Sequence, residues 1–417
     1  EEWVEIYFDM LSEENVQESM FLALDQGEVD LSRHFPVKTF FNSTEYRKAT
    51  NKLSEEMAER LDKVQRQFLT YLIPNLVFES DDRNKVAIVF ERINRAGTEL
   101  NIFELLAAWS WSDQFDLIEK FEVLQESISD HGFDELCLDR DLQLRICSGV
   151  INGETTPKKI LEMQGEEIRS RFEEIERGIL GALDFLSREL NVKHYKMIPF
   201  PGLLVPLSAY FATGKSEGDN YTSKQRDIIC RWFWRSLFSR RFSAGVNERQ
   251  ASDIANMRRL SQDENYAFKL PSNEIKFEFS KSNFSSGNAN SKVHILLLNT
   301  LQPKSLLSGA NIDLSKVLKK ASKHEYHHIF PRKHLERIGV AKQEINTLTN
   351  ICFLTRSDNN KIKDKAPDVY AKDIEPSRKA EYLGNSLIPL DFDKIQYREF
   401  LVKRSNLLAN KARELMG

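Results

Sequence analysis

The polar and apolar positions begin with a short alternation and then turn helical. Residues 3–10 (WVEIYFDM) alternate as a half-buried strand does. Residues 44–72 carry apolar positions at helical spacing among many Glu, Lys and Arg, and Pro74 is the predicted stop. A further stripe, Val86, Val89, Phe90 and Ile93, runs to Gly97. There Thr98, or Asn101 with Glu104 as a capping box, starts the next helix. That helix, Ile102 to Ser112, is apolar on nearly every side and is predicted to be buried. Spacing alone favours reading Arg92, Asn94, Arg95 and Thr98 in this turn as caps and surface charge; a recognition turn of a sensor domain is the alternative.

Residues 115–260 are mostly helical in pattern, with i, i+3, i+4 stripes in IEKFEVLQESI and RSRFEEIERGILGALDFLSREL. Three prolines in IPFPGLLVPL break the chain before a buried helix. The run RWFWRSLFSRRF interleaves Arg231, Arg235, Arg240 and Arg241 with Trp232, Phe233, Trp234, Phe238 and Phe242. Helical spacing favours an aromatic core face edged by arginines; stacking on a nucleic acid is the alternative. Residues 261–292 shift to Ser and Asn, with one alternating run, EIKFEF, and are predicted to be a connector. A short helix, KVHILLLNTL, then leads towards a histidine-rich stretch.

Composition adds bounds. A chain of 417 residues has room for two or three domains, and 41% hydrophobic with 29% charged residues is ordinary for a soluble globular protein. No run of 18 apolar residues exists, so a membrane-spanning helix is not expected, and the first residues do not read as a signal peptide. The four cysteines are scattered, suit a reducing cytoplasm, and do not form a four-cysteine zinc site. The net charge of −4 is uneven: from residue 311 onward there are 21 Lys and Arg against 14 Asp and Glu, and before it 38 against 49. A basic end on an acidic body directs any polyanion to the C-terminal quarter.

Four of the eight histidines, His324, His327, His328 and His334, fall within eleven residues of that quarter. His327 and His328 precede Ile329, Phe330 and Pro331, an apolar strand end, and neighbouring side chains on a strand face opposite ways. Asn350 opens a second apolar run, ICFL, predicted to pair with the first as a hairpin. TRSDNNK then reads as a turn into a helix capped by Ser357 or Asp358, with Asn359 and Asn360 in its first turn. Such a β-β-α unit brings the two histidines and one of the two asparagines together, the ingredients of single-metal phosphodiester hydrolysis. Arg332, Lys333, Arg356, Lys361 and Lys363 flank the unit as candidates to seat a phosphodiester backbone.

The pieces EYHHIFP (325–331), NICFLTRSDNNKI (350–362), KAPDVY and LIPLDFDKIQYREFLVKRSNLLA closely resemble the His-Asn-His (HNH, ββα-metal) endonucleases. More narrowly, they are similar to the His-x-x-Pro branch at the C-terminus of modification-dependent restriction proteins of the GmrSD and SspE kind. The resemblance implies His328 as general base and His327 as a metal ligand where many relatives carry Asp. It implies Asn360 as the second ligand, with Asn359 as the fallback, and Asn350 as the residue holding the loop that carries the base. It further implies Mg2+ or Mn2+ as cofactor, modified phage DNA as partner, and possible homo-oligomers.

The segment IVFERINRAGTELNIFEL also resembles those proteins, late in an N-terminal domain of ParB/sulfiredoxin-like fold. In the family that domain handles nucleotides through an Asp-Gly-Gln-Gln-Arg motif that this sequence does not contain. The expectation is that residue 1 lies just downstream of that motif, held in an upstream segment or a separate subunit, so that an NTP binds only with that part. The fold class expected is mainly α, a helical N-terminal and middle region with few strands, plus a C-terminal α+β HNH nuclease domain. The expected boundaries are 1–112 for the sensor part, 113–260 for a helical domain, 261–292 for the connector and 293–417 for the nuclease domain. Function is then a cytoplasmic metal-dependent DNA endonuclease or nickase of anti-phage restriction. The alternative is a DNA- or nucleotide-sensing binding subunit whose nuclease unit is inactive.

Overall fold

The opening alternation has a sheet to serve. In a computed structural model, residues 5–12, 20–25, 27–72, 77–80, 85, 89, 102–129, 132–213, 221–271, 275–314 and 326–417 are described. The chain divides into two units, Glu1–Asp81 and Asp82–Gly417. In the first, strand β1 (Ile6–Asp9) lies between β2 (Phe21–Ala23) and β3 (His34–Pro36), antiparallel to both, with Phe8 opposite Phe21 and Phe35. Phe8 is buried with Phe35, Phe40, Tyr46, Leu61 and Val64 in a small core. The pattern over 44–72 folds as two helices, α1 (Ser43–Thr50) and α2 (Glu55–Thr70). Asn42 and Ser54 each accept a hydrogen bond from a first-turn amide, and the second cap restarts the helix after a break at 51–54. Arg92, Asn94, Arg95 and Thr98 lie outside the described residues.

The second unit is mainly helical. Its longer described helices before residue 300 are α3 (Ile102–Ser110), α4 (Leu117–Ser129), α5 (Arg140–Ile151), α6 (Gly165–Glu189), α7 (Leu204–Ala212), α8 (Ser223–Phe238), α9 (Val246–Gln262) and α10 (Ala289–Asn299). Helix α7 is buried on every side, packed by α5, α6 and α9. Its approach to α6 is close enough that a Cβ on Gly178 would lie 2.5 Å from the Ser208 carbonyl oxygen. Helix α3, largely apolar and burying Phe103, Leu105, Leu106 and Ala107, packs against α4, α5 and α6. The compact units part near residue 81, and α3, in the second unit, packs among the neighbours that cover its apolar face. No helix among the described residues is long and apolar enough to cross a membrane.

The arginine–aromatic run belongs to this core. Trp232, Phe233, Trp234 and Leu237 of α8 are buried, and Trp232 Nε1 donates to the buried Asp253 at 3.0 Å. Arg241 pairs with the same carboxylate at 2.7 Å, and Arg235 donates to the carbonyls of Pro271, Met416 and Gly417. The expected connector also differs from a flexible linker. Phe279 and Phe284 are buried, the Phe284 amide donates to Asn346 O at 2.8 Å, and the Leu348 amide donates to Ser282 O at 2.8 Å. Its aromatic residues, exposed in a free linker, bury apolar area by docking.

Among the remaining elements are β4 (Tyr326–His328), α11 (Arg332–Arg337), β5 (Ile351–Phe353), α12 (Arg356–Ile362) and α13 (Tyr397–Met416). β4 and β5 form an antiparallel pair with Tyr326 opposite Phe353, His327 opposite Cys352 and His328 opposite Ile351. Ile351 and Phe353 enter the large helical core, whereas Cys352 and Leu354 enter a second core with Ile329, Phe330, Tyr370 and Phe400. Period-two alternation thus makes one short strand the seam between two cores. Behind it the fully buried Arg404 donates to the carbonyls of Thr349 (2.6 Å), Ile351 (2.8 Å), Ser386 (3.0 Å) and Leu387 (3.3 Å). Burial lowers its pKa to about 10. Arg404→Leu leaves these acceptors unpaired, each worth about 1–3 kcal/mol when buried. The expected loss is at least ~3 kcal/mol in urea titrations followed by tryptophan fluorescence, with Arg404→Lys intermediate; an unchanged midpoint would contradict the anchoring role.

Candidate active site

The site is built where β4 ends. Ile329, directly after His328, donates its amide to Asn350 O at 2.8 Å. The buried Asn350 side chain closes the same turn: Oδ1 accepts from the Phe330 amide at 2.9 Å, and Nδ2 donates to the carbonyls of Phe330 (3.1 Å) and Ile345 (3.0 Å). Tyr370, also buried, donates its hydroxyl to Ile329 O at 2.7 Å. The backbone following the two histidines is therefore held from both sides.

His327 and His328 leave the strand on opposite faces but line one cleft of about 480 Å³ with Tyr326, Pro331, Arg332, Lys333, Asn359, Lys363 and Asp364. The strand stops at His328, so the rings flank its end. His327 is 5% exposed; its Nδ1 lies 2.8 Å from Asn359 Oδ1, its ring stands edge-on to Tyr370, and its Nε2 is buried without a hydrogen bond. His328 is half-buried, with Nε2 3.1 Å from Asn346 Oδ1 and its ring edge-on to Tyr326. Burial pushes His327 down to about 4, against the Asn359 hydrogen bond, with the neighbouring His328 adding to the fall. Burial also lowers His328, opposed by the Asn346 hydrogen bond and assisted by the Arg332 charge. Both rings are neutral near pH 7.

Helix α12 brings Asn359 into place. Thr355, rather than Ser357 or Asp358, caps it by accepting from the Asp358 amide, because Asp358 is engaged elsewhere. The buried Asp358 carboxylate accepts from the Ser305 hydroxyl, the Leu307 amide (3.2 Å), and the Ser308 amide (2.9 Å) and hydroxyl (2.8 Å). Burial raises its pKa, but these hydrogen bonds outweigh it and hold the carboxyl below its ordinary value. With Asp358 turned to that loop, Asn359 faces His327, whereas Asn360 is exposed and off the cleft. Of the two amides, the structure brings the fallback, Asn359, to the histidine.

Among the cations, Arg332, Lys333 and Lys363 line the cleft; Arg356 and Lys361 are exposed elsewhere on α12. Arg332 is paired with Glu336 at 2.8 Å. Lys363 adopts φ 50°, ψ −111° at the end of α12, a backbone region that favours glycine. Among the described residues no group of three or more His, Cys, Asp or Glu is placed to hold a metal ion. The His327 nitrogen and Asn359 oxygen form a different donor set, converging to 2.8 Å on the cleft wall, and these are donor types a divalent ion accepts. Asn346 was present in the histidine-rich stretch, but nothing in its spacing distinguished it from Asn350 as a partner of His328.

No protein-family profile matches the sequence. A similar protein is an uncharacterised protein of Methanocaldococcus jannaschii, 22% identical in an alignment of 397 positions that takes in 88% of this chain. The chain spans 63% of the length of that relative.

The buried histidine makes stability pH-dependent in a defined sense. Between the ordinary histidine value of roughly 6.5 and about 4, the unfolded chain binds a proton that folded His327 refuses, so stability falls as pH is lowered through that window. The contribution is roughly 3 kcal/mol across it. Urea midpoints measured from pH 7 to 4 should fall less steeply for His327→Ala than for the parent; equal slopes would show that this ring titrates freely.

Proposed function

We propose that the chain is a divalent-metal-dependent DNA endonuclease or nickase of the His-Asn-His, ββα-metal kind, with residues 293–417 carrying the nuclease unit. The observation that carries this reading is the convergence of His327, His328 and Asn359 on one cleft edged by Arg332, Lys333 and Lys363. Asn350 clamps the backbone just beyond the histidines, the task the family resemblance gives it. That resemblance also supports modified phage DNA as the substrate and anti-phage restriction as the setting.

His328, neutral and at the cleft wall, accepts a proton from the attacking water as general base. His327 and Asn359 would hold Mg2+ or Mn2+, which would supply positive charge against the phosphate and the leaving 3′ oxygen. Lys333 and Lys363 seat phosphate oxygens and set the register of the strand. Arg235 and Arg241 of the aromatic run are committed to internal partners, which disfavours the reading that places recognition there.

Plasmid nicking with Mg2+ or Mn2+ tests the proposal. His328→Ala should slow cleavage by about 10²-fold or more. Asn359→Ala should lose far more activity than Asn360→Ala. A His328→Ala variant as fast as the parent would sink the mechanism, and the reverse order for the asparagines would return the second ligand to Asn360. Lys363→Gly relieves the backbone strain and should raise stability by about 1 kcal/mol. The same change should weaken DNA binding in filter assays; undiminished binding would remove Lys363 from the phosphate seat.

A further inference from the structure

The amide that faces His328 is itself held in one orientation. Asn346 Nδ2 donates to the Phe284 carbonyl at 2.9 Å, so the Asn346 oxygen is what meets His328 Nε2 at 3.1 Å. An amide oxygen only accepts, so Nε2 must carry the hydrogen, and a neutral imidazole then has its lone pair on Nδ1. Phe284 is fixed in turn. Its amide donates to Asn346 O at 2.8 Å, and its buried ring packs against Tyr326 and Phe353 with centroids 5.0 and 6.1 Å away. Next to it, Asn283 and Thr347 form an antiparallel bridge, and Ser282 accepts from the Leu348 amide.

We propose that Asn346 is the positioning residue for His328: it fixes the Nε2–H tautomer, presents Nδ1 to the water, and ties this orientation to the docked 279–284 segment. The inference rests on the nuclease reading only for what Nδ1 does. In that step the water O–H bond breaks, its proton passes to Nδ1, its oxygen bonds to phosphorus, and the P–O3′ bond breaks, the 3′ oxygen leaving with its electron pair and taking a proton from solvent. The imidazolium so formed keeps its Nε2–H on the Asn346 oxygen, whose partial negative charge stabilises it. The base is thereby linked to the chain that arrives from the helical body, because the Phe284 carbonyl sets which atom of the amide the ring meets.

Long-range 1H–15N correlation spectra of the full chain, labelled at histidine nitrogens, test this directly. The His328 signal is assigned by its loss in His328→Gln. The parent should show the Nε2–H tautomer, Asn346→Leu a mixture or the Nδ1–H form, and Asn346→Asp, which still offers an acceptor oxygen, the parent form. Asn346→Leu should lower kcat for nicking tenfold or more with KM unchanged, while thermal melting confirms that it is folded. An Nδ1–H parent, or an Asn346→Leu variant with the parent tautomer and kcat, would overturn the assignment. A parent with the Nε2–H tautomer that leaves DNA uncut with either metal would instead overturn the nuclease reading.

Discussion

A guanidinium with no carboxylate partner among the described residues sits behind the hairpin, and the site's geometry depends on how it is held. Arg404 gives its donors to four carbonyls from two separate stretches, Thr349 and Ile351 before and within β5, and Ser386 and Leu387 ahead of α13. A charge buried this way is tolerable only if its donors are satisfied, so the four carbonyls are constrained to one arrangement. That arrangement sets the path of residues 349–351, and Asn350, the clamp on the loop after His328, lies in the middle of it. The C-terminal helix thus reaches the histidines through backbone alone.

The hairpin links two hydrophobic cores because its residues alternate between them. Ile351 and Phe353 belong to the helical body, Cys352 and Leu354 to the C-terminal core. A one-residue slip in register would exchange these faces and move both histidines, so two packed cores specify the register strongly. The same alternation sends His327 towards Tyr370 and Asn359, and His328 towards Tyr326 and Asn346. Two adjacent side chains of one type consequently acquire different partners and different burial, which suits them to different tasks.

Much of this was legible in the chain itself. Two apolar runs and the Asn350 position marked the hairpin, Ile102 to Ser112 and the stretch after IPFPG read as buried helices, and helical spacing placed the aromatic run in the core. Two details lay beyond local pattern. The 44–72 stripe looks continuous because a cap such as Ser54 does not interrupt an amphipathic pattern. The 261–292 segment looks like a linker because its few aromatics declare nothing about what they dock against.

Asn359 and Asn360 show where local pattern stops. Successive helical residues point about 100° apart, so only one can face His327, and spacing is silent about which. The choice is made by Asp358, whose carboxylate is captured by Ser305, Leu307 and Ser308 from a loop some fifty residues earlier, fixing the rotation of α12. Asn346 and Arg404 became visible for the same reason: each acts on groups distant in the chain. Residue order by itself determined the elements, the polarity of their faces and the chemical types at the cleft, because these depend on neighbours within a few positions. The tertiary structure alone decided which amide meets which imidazole, because that depends on how separate segments satisfy one another's buried polar groups.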